Sequence, residues 1–291
     1  MVGNKQLIKI LQDFPTISLE QLNATAKFME RIDAKYLVPA SDLDAILKKL
    51  QNKYYILSIN GKHIFQYDNV YMDTADHVFY HQHENKAPSR IKIRSRWYKD
   101  SNEAFFEFKQ KDGKLIRKRR IPIDLDKHGH MTDETHTFYA SLCTSLDMIH
   151  TKQSLQATIG TQYNRITLCS KNNDERITID FNIKLINAHN PSQEKHLTAR
   201  AILESKSTSE QCLSHQIMNE LWHEQAQWCS KYCLGVYYFN KAKSRKTSKQ
   251  TIKKIEKKKV KIPQNIQKQL SKRLQKTKAI SHLPTSVMIW K

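Results

Sequence analysis

The stretch RIKIRSRWY, residues 90–98, carries a cation at every second position: Arg90, Lys92, Arg94 and Arg96. Ile91, Ile93, Ser95 and Trp97 lie between them. A β-strand sends alternate side chains to opposite faces, so the four charges share one face, neighbours lying roughly 6.6 Å apart. Like charges this close repel unless an anion or interleaved carboxylates compensate them. By itself the strand suits either a solvated sheet face or the wall of a polyanion site.

The same alternation recurs in IFQYDNVYMDT (64–74), AFFEFKQK (104–111), LIRKRRIPI (115–123), QYNRITLC (162–169), ERITIDFNIKL (175–185) and RAILESKS (200–207). KDGK (111–114) reads as a turn joining two of these strands into an antiparallel hairpin. Charges recur at matched positions. Glu107 and Lys109 stand opposite Phe106 and Phe108, Arg165 shares a face with Tyr163 and Thr167, and Glu204 and Lys206 stand against Leu203. Arg176, Thr178 and Asp180 line up against Ile177, Ile179 and Phe181, with Asp180 expected to pair with Arg176. Trp97, Phe106 and Phe108 belong to the core side.

In an open sheet these charged faces would meet water. In a closed barrel they would line the interior, where cations without partners are prohibitively costly. A barrel with this sequence therefore requires carboxylates, water or a bound anion. The carboxylates occur in a repeated unit, an acid two residues before a lysine: Asp33-Ala34-Lys35, Glu107-Phe108-Lys109 and Glu204-Ser205-Lys206. Carboxylates among cations can hold a divalent metal while the cations hold phosphate oxygens.

Helical spacing appears in ISLEQLNATAKFMERI (17–32), PASDLDAILKKLQNKY (39–54), TDETHTFYASLCTSLDMI (132–149) and SEQCLSHQIMNELWHEQAQW (209–228). In the second of these, Ser41 is the expected N-cap. The fold class is therefore α+β, an antiparallel sheet with helices outside it.

The net charge of +21 is unevenly placed. Residues 241–291 hold 17 Lys and Arg against one acid, Glu256, leaving +5 on residues 1–240. This tail fits a solvated, disordered or helical extension, or an electrostatic arm for polyanions. The body contains no helix-turn-helix or other nucleic-acid reader, so specific nucleic-acid recognition is not expected. Five scattered cysteines suit a reducing compartment, and no apolar run reaches membrane-spanning length. His81 and His83 are expected on one strand face. Ser230 beside Lys231 raises the thought of a nucleophile, but no catalytic partner stands at a recognisable spacing.

Eight motifs, in order, resemble the VTC domain, the catalytic domain of the vacuolar transporter chaperone complex and its bacterial relatives among the triphosphate tunnel metalloenzymes. They are RIDAKYLV (31–38), YMDT (71–74), FYHQHENKAPSRIKIRSRWY (79–98), FFEFKQKDGKLIRKRR (105–120), YNRITL (163–168), RITIDFNI (176–183), ILESK (202–206) and SKYCLG (230–235). The resemblance implies a closed antiparallel β-barrel of about eight strands, forming a basic tunnel for triphosphate-like chains with Mn²⁺ or Mg²⁺. It divides the chain into an N-terminal helical segment (1–26), the tunnel domain (27–240) and the lysine-rich tail (241–291).

The activity implied is polyphosphate polymerase, transferring the γ-phosphate of ATP to a growing polyphosphate. A metal-dependent triphosphatase and a non-catalytic polyphosphate- or inositol-phosphate-binding module are the alternatives. Carried over by motif, Lys35, Arg94, Arg96, Lys109, Arg165 and Lys231 are the expected catalytic phosphate contacts. Arg90, Lys92, Lys118, Arg176 and Lys206 form additional phosphate-binding wall, although RKRR leaves the register of Lys118 open. Glu204 is the expected metal ligand, supported by Glu107. Asp33 stands where Glu is common, and a full E-x-E-x-K is missing from the first strand, which disfavours a simple triphosphatase. Eukaryotic relatives work inside a membrane complex, which suggests a membrane-protein partner. The chain is then expected in the cytoplasm, or peripheral at a membrane.

Overall fold

Most of the alternating segments pair as expected. The computed structural model describes residues 4–25, 32–113, 115–146, 154–226 and 230–240, all within one compact unit. The lysine-rich tail, the end of the first predicted helix and Cys229 lie outside the described residues. The strands are β1 (Thr16–Ile17), β2 (Ile32–Pro39), β3 (Tyr54–Leu57), β4 (Phe65–Asp73), β5 (Ser89–Tyr98) and β6 (Glu103–Asp112). After them come β7 (Leu115–Ile123), β8 (Gln156–Ser170), β9 (Glu175–Asn187), β10 (Asn190–Leu197) and β11 (Arg200–Ser207). The helices are α1 (Asn4–Gln12), α2 (Leu19–Thr25), α3 (Leu43–Leu50), α4 (Val78–Glu84), α5 (Asp133–Ser145), α6 (Leu213–Glu220) and α7 (Lys231–Phe239).

Eight strands follow one antiparallel path, β2-β11-β9-β8-β4-β5-β6-β7, with β3, β10 and the short β1 attached beside it. The path holds eight strands, but the sheet as a whole has eleven rather than the expected eight or so, and hydrogen bonds do not close it into a barrel: among the described residues β2 and β7 do not pair. The edge of β2 is engaged elsewhere, since Tyr36 bridges to Gln225 and the Ala226 amide donates to the Lys35 carbonyl at 2.6 Å. At the opposite end β7 carries the exposed Lys118, Arg119 and Arg120, and charged side chains are a common guard on a terminal strand.

The outer face of the sheet is apolar. Ala34, Tyr36, Val38, Ile177, Ile179, Phe181 and Leu203 pack with Leu7 and Leu11 of α1, Leu43, Ile46, Leu47 and Leu50 of α3, and Met218 of α6. Ile93, Phe106 and Phe108 pack against Tyr139, Leu142 and Cys143 of α5, with Trp97 beside them. Burying both sets leaves the charged alternates on the inner face.

Partway along β9 the phase changes. Phe181 pairs with Asn164 and Lys184 with Gln162, so Asn182 and Ile183 together oppose Tyr163. Asn182 takes a left-handed backbone, φ 51°, as a bulge residue. Before the bulge Asp180 shares its face with Arg176; beyond it Ile183 and Leu185 pack with Ile202, Tyr163 and Leu234 of α7. One end of the inner face is thus charged and the other filled by an apolar cluster.

Several helix expectations change. Ser41 is no N-cap: a 3-10 turn at Ala40–Asp42 precedes α3, Asp42 takes the cap position, and Ser41 Oγ donates to Asp42 Oδ1 at 2.9 Å. Thr132 caps α5 in a reciprocal capping box with Thr135. α6 stops at Glu220, short of the expected end, with Trp222 at φ 59° turning the chain towards the β2 edge. His81 and His83 lie on α4, not on a strand. That helix forms because the fully buried Asp73 accepts the Phe79 and Tyr80 amides, each at 2.9 Å.

Candidate functional site

The inner face surrounds a cavity of about 620 Å³, lined by β2, β4, β5, β6, β7, β8, β11, α4 and the start of α7. Lys35 of β2 and Lys118 of β7 line the same space, so the sheet curls around it although its terminal strands do not pair.

Register explains the lining. Lys92 pairs directly with Lys109, and Lys109 with Lys118, giving a row of three ammonium groups across β5, β6 and β7. Like charges directly opposite each other destabilise a sheet, so this row stores repulsion that an anion relieves. The same register resolves the RKRR ambiguity: Lys118 faces Lys109, and Arg120 faces Glu107. Burial, reinforced by Lys92 and Lys118, pulls Lys109 down to about 7. Burial likewise draws Lys92 down to about 8, with Lys35, Arg94 and Arg90 acting in the same direction.

Next to the lysine row, carboxylates hold arginines in place. Arg94 donates from Nε to Glu107 Oε2 at 2.7 Å, its Nη2 lies 2.6 Å from the same oxygen, and Arg96 Nη1 approaches Oε1 at 3.7 Å. Burial would favour the neutral acid, but Arg94 and Arg96 outweigh it and hold the Glu107 carboxyl at about 2. Arg96 is further fixed by Asn69 Oδ1 at 2.8 Å and lies over the Tyr67 and Tyr98 rings. Arg165 and Lys231 converge on Asp180, which is itself held at about 2 because the two cations outweigh its burial. Both also lie over the Tyr163 ring.

Lys35 donates to Glu204 from the neighbouring strand, and Lys206 stands two residues further along the same face. Burial pushes the Glu204 carboxyl up, but Lys35 and Lys206 outweigh it and leave it well below the usual carboxylate range. Asp33 pairs across the strands with Lys206, diagonally beside Glu204. These oxygen donors fit a hard divalent cation that takes its remaining ligands from phosphate and water. Among the described residues no group of three or more His, Cys, Asp or Glu could form an all-protein cage. Glu107, expected to support a metal, is instead committed to Arg94 and Arg96, because their register places guanidinium groups directly on its oxygens.

The cavity brings together Lys35, Lys92, Arg94, Arg96, Lys109, Lys118, Arg165, Lys206, Lys231, Glu107 and Glu204. Arg90 and Arg176 are not among its lining residues: Arg90 donates to the Ala87 carbonyl at 3.1 Å, and Arg176 to that of Leu22. Asp180 therefore pairs with Arg165 and Lys231 rather than with Arg176. Sequence reasoning missed Arg119 and Arg120, although RKRR held the signal, and also Tyr71 and Tyr163. His83 reaches the cavity from α4, where burial and the nearby Lys92 and Arg90 hold it down at about 2, so it is a neutral imidazole.

A VTC domain model matches residues 30–240. The chain belongs to the VTC domain family. Its matched region contains every residue that lines the cavity. Comparison with curated proteins finds no match. Among solved structures, a protein from Hippeastrum described as a candidate adenylyl cyclase with a dominant triphosphatase activity is 12% identical, covering 71% of this chain and 95% of its own, with a TM-score of 0.45. A protein from Pyrococcus horikoshii OT3 is 14% identical over 67% of this chain and 92% of its own, at a TM-score of 0.36. A candidate adenylate cyclase from Vibrio parahaemolyticus is 11% identical over 66% and 83%, at 0.34.

Proposed function

We propose that this VTC domain protein is a polyphosphate polymerase, transferring the γ-phosphate of ATP to the end of a polyphosphate chain and releasing ADP. The observation that carries the reading is the cross-strand row Lys92–Lys109–Lys118, which lines one cavity together with Arg94, Arg165 and Lys231. Such a set of cations suits a linear chain of phosphates better than a single anion.

Phosphoryl transfer needs positioning and charge stabilisation more than covalent help. Lys109 and Lys118 would neutralise the triphosphate, while Arg94, Arg96, Arg165 and Lys231, held by Glu107 and Asp180, would meet the charge on the transferring group without reorganising. A terminal oxygen of the acceptor chain attacks the γ-phosphorus, and the bond to the ADP oxygen breaks. Glu204, with Asp33, would hold Mn²⁺ or Mg²⁺, which supplies further charge neutralisation on phosphate oxygens when bound.

Delivery to a membrane-protein partner from the cytoplasmic side belongs to the same proposal. Among the described residues no helix is long and apolar enough to cross a membrane.

The test is to incubate the purified chain with ATP and Mn²⁺ and to follow ADP and polymer together. Polyphosphate ladders with stoichiometric ADP are expected. Free orthophosphate without polymer would make the protein a triphosphatase. Binding of tripolyphosphate without turnover would make it a binding module.

A further inference from the structure

The serine set aside in the sequence has a partner after all. Lys92 Nζ donates to Ser230 Oγ at 3.1 Å, from a position 138 residues away in the chain. Both side chains line the phosphate cavity. Ser230 immediately precedes α7, and the neighbouring Lys231 points its ammonium group at Asp180. Burial lowers Lys92 to about 8, and Lys35, Arg94 and Arg90 push it the same way, so its free-base form is accessible near neutral pH. A serine hydrogen-bonded to such a lysine is a known alternative to the serine–histidine pair. Cys233, one turn along α7, is no competitor, since burial pushes its thiol up to about 12.

We propose that Ser230 is a phosphoryl acceptor, modified inside the cavity by the nucleoside triphosphate bound there, with Lys92 as the base. The inference rests on reading the cavity as an ATP site. Ser230 Oγ attacks the terminal phosphorus and forms the new O–P bond, while the bond from that phosphorus to the nucleoside diphosphate oxygen breaks. The leaving diphosphate takes the electron pair, and the hydroxyl proton passes to Lys92 Nζ. The resulting phosphoserine sits beside the Lys92 ammonium group at a helix N-terminus, where its charge is favoured.

The experiment is intact-mass and peptide mass spectrometry of the full chain, acid-quenched during turnover with ATP and Mn²⁺, with ADP measured in the same samples. One added phosphoryl group on the peptide containing Ser230 is expected. It should be missing from Ser230→Ala, retained in Ser230→Thr, and formed about 100-fold more slowly in Lys92→Met. ADP release with no adduct overturns this inference and leaves the proposed function standing. Neither ADP nor adduct overturns both. A phosphoryl group on another residue alone overturns the assignment to Ser230.

Discussion

Arg165 grips Asp180 with two parallel bonds, Nε to Oδ1 at 2.6 Å and Nη2 to Oδ2 at 2.8 Å, across the adjacent strands β8 and β9. Because Lys231 of α7 uses the same carboxylate, one buried anion sets the position of two cavity cations. Removing one member of a buried ion pair leaves the others uncompensated and costs about 3–5 kcal/mol.

Asp180→Asn should therefore lower the urea midpoint and also weaken tripolyphosphate binding. The acid dependence has a definite sign. The folded Asp180 carboxyl, at about 2, lies below its unfolded value of about 3.9, so its contribution is complete above that value and is lost as pH falls towards 2. Glu107 acts in the same direction. Urea titrations at neutral pH and at about pH 3 should show a smaller acid loss in Asp180→Asn than in the parent. Equal losses would remove the role given to this carboxylate.

Lys109 predicts a proton uptake. Burial, with Lys92 and Lys118, holds its free-state value at about 7, and a bound polyanion must raise it. Affinity is then greatest below about 7 and declines as pH rises through the bound-state value. Calorimetry with inorganic tripolyphosphate near pH 8, in buffers of different ionisation enthalpy, should show protons taken up. Lys109→Met should take up fewer.

Asn182 tests the bulge that divides the inner face into charged and apolar halves. Its φ of 51° is tolerable for asparagine and strained for a β-branched residue. Asn182→Val should cost about 1–3 kcal/mol, whereas Asn182→Gly should stay close to the parent. Chemical denaturation of the two variants compares them directly.

Gly235 sets how closely α7 approaches β8. A Cβ there would lie 2.3 Å from Ile159 Cγ2, too close without movement of the helix. Gly235→Ala should destabilise the protein by about 1–3 kcal/mol and, by shifting Ser230 and Lys231, reduce turnover. Thermal melts alongside ADP assays check both effects. Unchanged activity in a folded Gly235→Ala variant would show that α7 does not position the site.

Much of the site was legible because a strand exposes its faces with period two. Arg94, Arg96, Glu107, Lys109, Arg165 and Glu204 were assigned to charged faces from spacing, and all six line the cavity. Arg90 and Arg176 have the same spacing, yet Arg90 turns to the carbonyl of Ala87, three residues back, and Arg176 to that of Leu22, far away in the chain, and alternation encodes neither contact. The α4 histidines were misplaced because the helix is started by the Asp73 carboxylate, not by a strong periodic pattern of its own. Strand β10 was missed, since NPSQEKHL is exposed almost throughout and shows no buried alternation.

By itself the sequence determined the antiparallel strands, the separation of charge from apolar surface and the resemblance to the VTC domain, because these depend on short-range periodicity and ordered motifs. Tertiary structure alone decided which cations share a cavity, that Asp180 serves Arg165 and Lys231, and that Lys92 reaches Ser230. It also decided that the sheet curls without hydrogen-bond closure, since Gln225 and Ala226 occupy the β2 edge. Those outcomes depend on register and on contacts between residues far apart in the chain, which no local pattern specifies.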